Sequence, residues 1–191
     1  MHAETRETWA AALSTLFEDE YVFVSVGPRN NSAWSADVWA VMRRDVPDPR
    51  GWAGQDGDKE HDQRTTAARK AFPFNLDSAE QISHHLHEID VDTAAQLLVA
   101  LMDDWCQISE VPGFREDPES MLKAARILLS RFAPNFNCYT NLTEARETKS
   151  PNLAARDVGP GWSSFTEYTA DYGLVVVSDS EVGVFWSFNP V

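Results

Sequence analysis

The chain has 191 residues, of which 16 are Lys or Arg and 30 are Asp or Glu, so its formal net charge is −14. That shortage of cations excludes a generic nucleic-acid binder, because phosphate contacts need a surplus of Lys and Arg. An apolar share of 43% excludes wholesale disorder, and no run approaches the roughly 18 consecutive apolar residues of a membrane span.

In chain order, Trp9, Leu13, Leu16 and Phe17 recur at helical spacing and predict a helix from about Glu4 to Glu18. Tyr21 to Val26 is β-branched and aromatic, ends at Gly27-Pro28, and predicts a buried strand. Trp34 to Arg43 reads as a second strand, joined to the first as an antiparallel hairpin across the short polar turn at Asn30-Asn31-Ser32. Residues 46 to 62, broken by two prolines and three glycines, predict a long exposed loop. Three helices follow. One starts at Asp77, with Glu80 at a capping-box spacing and an apolar stripe of Ile82, Leu86 and Ile89. A second runs from Asp92-Thr93 to about Cys106, with Ala94, Leu97, Leu98, Leu101 and Trp105 as its core face. A third opens at Asp117-Pro118 and is stopped by Pro134.

The C-terminal part returns to strands at Phe136–Asn141, Leu174–Val177 and Val182–Phe188, the last two joined by a turn at 178–181. Because both faces of the last strand read as covered, it is expected to be central. The order of elements predicts one α+β domain over residues 1–191. Its antiparallel sheet has about five strands, an N-terminal hairpin plus the C-terminal strands, and three to five helices pack mainly on one face. Cys106 and Cys138 read as reduced, buried thiols. Met1 to Glu7 has neither the basic start nor the apolar run of a secretion signal, so the expected location is cytoplasmic, in a chain of bacterial style.

The charge is uneven. Residues 75–120 hold 11 acids and a single base, Arg115, a net of −10. Helix starts account for Asp77, Glu80, Asp90, Asp92 and Asp117. They do not account for Asp103 and Asp104, placed near a helix C-terminus where the dipole disfavours anions. That excess points to a docking surface for a basic partner.

Four kinds of chemistry stand beside it as candidates. Glu80, His84, His87 and Glu88 fall at i, i+4, i+7 and i+8 of the predicted helix, where imidazole and carboxylate are weak candidates for zinc ligands. The pattern is not H-E-x-x-H and has no second ligand pair. Asp56 to Asp62 alternates carboxylates as a calcium loop does, but His61 and Ala67 stand where Gly and Glu are needed. Neither a nucleophile elbow nor a phosphate-binding glycine motif is present. The basic cluster Arg64, Arg69 and Lys70 is short and balances nearby carboxylates.

The reading that follows is a protein-binding inhibitor of the immunity or antitoxin type, needing no cofactor, that neutralises a basic protein such as a cognate toxin. Its expected contacts are Glu80, Glu88, Asp103, Asp104 and Glu110, with Trp52, Trp162 and Tyr168 as loop aromatics. No contact with nucleic acid or membrane is expected. Two alternatives stand beside it. One is a metal-assisted hydrolase using His84, His87 and Glu88. The other is a small-molecule sensor with a pocket between sheet and helices.

Overall fold

The computed structural model describes residues 5–18, 21–52, 54–56, 71–154 and 159–189. Much of the glycine-rich loop, including Asp58, Glu60, His61 and Asp62, and the cluster Arg64, Arg69 and Lys70 lie outside the described residues.

The centre of the molecule is a hairpin of two nine-residue strands, β5 (Ala170–Ser178) and β6 (Glu181–Asn189), in which every residue is buried. β6 pairs on its other side with β1 (Val22–Pro28), and β5 with β4 (Phe136–Thr140). Two short strands close the edges, β2 (Gln55–Asp56) beside β1 and β3 (His87–Ile89) beside β4. The result is a six-stranded antiparallel sheet in the order β2-β1-β6-β5-β4-β3, and the central place expected for the last strand is the observed one.

Strand alternation sorts the core into two halves. Val22, Val24, Val26, Tyr172, Leu174, Val176 and Phe185 point to one face, and Phe23, Val175, Val177, Val182, Val184, Trp186 and Phe188 to the other. The first face is covered by α1 (Arg6–Phe17), α4 (Val91–Ala100) and α6 (Pro118–Ser130). The second is covered by α2 (Trp34–Met42) and α3 (Ala79–His85). α5 (Pro112–Glu116) is a short sixth helix against the start of α6. The α+β class therefore holds, with six helices among the described residues and with helices on both faces of the sheet. Among the described residues, no helix is long and apolar enough to cross a membrane.

The caps explain where the longer helices start. Thr5 accepts from the Thr8 amide at 3.2 Å, Asp90 from Thr93 at 2.7 Å and Asp117 from Ser120 at 3.0 Å. Two glycines are fixed by close approach. A Cβ on Gly173 would lie 2.0 Å from the Trp186 ring, and one on Gly183 would lie 2.4 Å from Phe132.

Two expectations are corrected here. Residues 34–42 form a helix, so there is no N-terminal hairpin, and β1 pairs with β6 and β2 instead. Val38, Val41 and Met42 meet the second core face at helical spacing. The buried Asp37 carboxylate accepts from the Asn30 and Asn31 amides and from Arg29, which fixes the turn into the helix. The stripe Ile82–Leu86–Ile89 is not one helix. α3 ends at His85, and His87–Ile89 turn out to pair with β4, because backbone pairing to a sheet outweighs a weak local helical pattern.

One buried ionic cluster ties distant parts together. The Arg131 side chain, just beyond α6, has no exposed surface. Its guanidinium donates to Glu181 at 3.1 Å and to Asp48 at 2.9 Å, with the Trp9 and Trp52 rings over it at 5.3 and 4.7 Å.

Candidate functional site

The segment from Asp103 to Glu119 leaves the core and returns to it. α4 ends at Ala100, and the Asp103 carboxylate then accepts from the backbone amides of Trp105 at 3.1 Å and Gln107 at 3.0 Å. Cys106 adopts a left-handed backbone, φ 58°. That conformation, uncommon away from glycine, turns the thiol inward and sends Trp105 out. Ile108 and Val111 are buried again and pin the following turn. The acids on either side of and between these anchors, Asp104, Glu110, Glu116 and Glu119, face solvent. Among the described residues their carboxylates make no ion pair and no hydrogen bond. Arg115 donates to the Glu110 carbonyl and not to a carboxylate.

Of the other acids of residues 75–120, Asp90 and Asp117 cap helices, Asp92 pairs with Arg126 at 3.5 Å, and Glu88 pairs with Lys149 at 2.7 Å. Among the described residues, the exposed Asp77 and Glu80 carboxylates, at the start of α3, make no ion pair and no hydrogen bond. The unexplained pair of the sequence thus divides. Asp103 holds a loop together, and Asp104 is free.

Trp105 is 44% exposed. The expectation that it lies on a core face fails because the helix stops five residues earlier. The signal was present in Asp103-Asp104, which suit a helix end poorly and a turn well. Trp162 lies 6.5 Å from Trp105, centroid to centroid, and 5.2 Å from the buried Tyr172. Glu144, on a short 3₁₀ turn (Thr143–Arg146), accepts from the Gly161 amide at 3.1 Å, immediately before Trp162. Sequence reasoning missed both Trp105 and Glu144 as site residues. Burial, together with the charges of Asp103 and Glu144, pushes the Cys106 thiol up, and Cys138 is pushed up to about 12 by burial and by Asp90 and Glu88. Both thiols are free and buried, as expected, and are inert as nucleophiles at neutral pH.

The other expected contacts are dispersed. Glu80 is exposed on α3, behind the second core face. Trp52 is half-buried over Arg131 and does not protrude. Tyr168 packs on Phe188 at 5.5 Å on the second face, away from Trp162, which packs on the first.

The histidines do not form a ligand set. His84 is on α3 and His87 on β3, where Glu88 points to the opposite side of the strand. Arg146 Nε donates to His87 Nε2 at 3.1 Å, which engages one of the two ring nitrogens. Among the described residues, no three metal-ligating side chains converge. A concavity of about 410 Å³ lined by Arg29, Phe136, Asn137 and Asp179 is an open cleft at the sheet's end. It does not lie between sheet and helices.

The histidines do predict a pH effect. Burial holds His87 below the ordinary histidine value, with Arg146, His85 and His84 adding to it, and His85 is lowered likewise. A lowered folded-state value means that the unfolded chain binds the proton more readily. The stabilising contribution is therefore present above about pH 6.5 and is lost as pH falls through the folded value. Thermal unfolding of wild type and of His87→Gln at pH 7.5 and 5.5 checks this. The wild type is expected to lose more stability on acidification, and equal losses would refute the assignment.

Comparison with known proteins finds no matching family, no similar curated protein and no similar solved structure.

Proposed function

We propose that this chain is a protein-binding inhibitor of the immunity or antitoxin type, which docks a basic protein on the segment from Asp103 to Glu119. One observation carries the reading. Among the described residues, Asp104, Glu110, Glu116 and Glu119 gather four unpaired carboxylates on one stretch, whereas Asp90 and Asp117 are spent on caps and Glu88 and Asp92 on ion pairs. Uncompensated like charge beside an exposed tryptophan supports steering of an oppositely charged partner, with the aromatic supplying affinity once water is expelled. A cytoplasmic location belongs to the same reading.

The test is capture followed by function. The tagged chain is expected to retain a basic protein from cells of its source, cross-linked within residues 103–119, and to relieve the toxicity of that protein on co-expression. Glu110→Lys combined with Glu116→Lys should weaken capture roughly a hundredfold, mostly through slower association. Capture unchanged by the double reversal, or a partner that is acidic, sinks the proposal. Asp103 is a poor choice for this test, because replacing it releases the Trp105 and Gln107 amides.

A further inference from the structure

The proposed docking surface has an internal precedent for what it would bind. Three of the chain's tryptophans carry an arginine over the ring. Arg43 lies 5.5 Å from the Trp39 centroid, Arg131 lies 5.3 Å from Trp9, and Arg50 lies 5.0 Å from Trp52. Trp34 is stacked on Tyr139, and Trp186 is fully buried. Among the described residues, Trp105 and Trp162 have no cation over them, although each is flanked by a carboxylate bound at its base. Asp103 holds the Trp105 amide, and Glu144 holds the amide that precedes Trp162.

A second observation points to the same corner. Among the described residues, the Tyr172 hydroxyl has no hydrogen-bond partner, and the residue is 2% exposed. Its ring lies against Trp162, and burial first, then the neighbouring Cys106, Asp171, Asp103 and Glu144, push its hydroxyl up. A buried hydroxyl left unpaired beside carboxylates and aromatic faces is a group waiting for a donor.

We infer that the corner formed by Trp105, Trp162, Asp103, Glu144 and Tyr172 receives one arginine side chain of the basic partner. The inference rests on the docking surface proposed above and names its anchor. The guanidinium matches the corner because its plane stacks on indole while its edge donates to carboxylates. Within the described residues, Asp103 Oδ1 accepts nothing and remains open to it. Lysine, a point charge without a planar fork, fits less well.

The probe is a hexa-arginine peptide titrated at low ionic strength into the full ¹⁵N-labelled chain. Hexa-lysine and a hexa-citrulline peptide, the neutral isostere, serve as comparisons. The Trp105 and Trp162 indole N–H resonances are expected to shift with hexa-arginine, to shift at several-fold higher concentration with hexa-lysine, and to stay put with citrulline. Trp105→Ala and Glu144→Gln should each weaken hexa-arginine binding about tenfold or more, and Tyr172→Phe should weaken it less. The exposed Trp105 and the near-isosteric Gln, whose carbonyl still accepts from Gly161, should leave the melting temperature nearly unchanged. Binding with both indoles unmoved, or unweakened in Trp105→Ala and Glu144→Gln, overturns the anchor and leaves the docking surface standing. Absence of any hexa-arginine binding also overturns the anchor, whereas the docking surface is judged separately by the charge-reversal capture.

Discussion

Arg131→Ala is expected to remove about 3–5 kcal/mol of unfolding free energy, the range seen when one member of a buried ion pair is deleted. The substitution strands Glu181, whose side chain is 5% exposed, and deprives Asp48 of its cation. It also opens the space between Trp9 and Trp52, whose rings face the guanidinium. Most of the cost is the penalty of leaving a carboxylate dry and unpaired, so removing the acid as well should recover part of it. Arg131→Lys should recover little, because one ammonium cannot fork to both carboxylates as the guanidinium does. Urea unfolding measures all of these. A loss below about 1 kcal/mol for Arg131→Ala would show that Arg50, already 3.4 Å from Glu181, takes over the charge.

Asp171→Ala should be comparably damaging, at about 3–5 kcal/mol, because unmade hydrogen bonds in a dry site cost about 1–3 kcal/mol each and several are lost together. The Asp171 carboxylate accepts from the amides of Phe165 and Thr166, both at 3.1 Å, and from the Thr166 and Ser164 hydroxyls at 2.9 and 3.0 Å. It also accepts from the Trp186 indole at 3.0 Å. Burial pushes the carboxyl up, and these donors, Trp186 and Thr166 first, hold it down. Without it the stretch 163–166 loses its attachment to β5. Asp171→Asn keeps one acceptor and adds an unwanted donor, so a smaller loss is expected. Chemical unfolding of both variants, followed with the Trp186 indole resonance, decides the matter. A shift below about 1 kcal/mol for alanine would refute the assigned role.

Neither contact was legible in the sequence, for a physical reason. Arg131 and Asp48 stand 83 positions apart, and Trp186 and Asp171 meet only once two strands are in register. What could be read was local. Asp117-Pro118 located the start of α6, and the alternation in β6 located the central strand. Residues 34–42 were misread because tryptophans and valines suit a strand by composition, while the burial of Ser35, Val38, Val41 and Met42 follows a helix. In residues 75–120, the density of acids was visible but its allocation was not. Only the folded chain distinguishes Asp103, turned to backbone amides, from Asp104, turned to water.

The two short edge strands have a bearing beyond topology. β5 and β6 hold eighteen residues of mostly apolar, β-favouring chain, the kind of segment that recruits further strands when its flank is bare. Among the described residues, the outermost strands are instead two and three residues long. Each carries a carboxylate already clamped to a base, Asp56 to Arg44 and Glu88 to Lys149. A second copy approaching edge-on would find too little ladder to extend and a charge pair to break first. The same molecule can therefore carry a strongly β-favouring centre and still offer an approaching copy short, charged edges in place of a bare one.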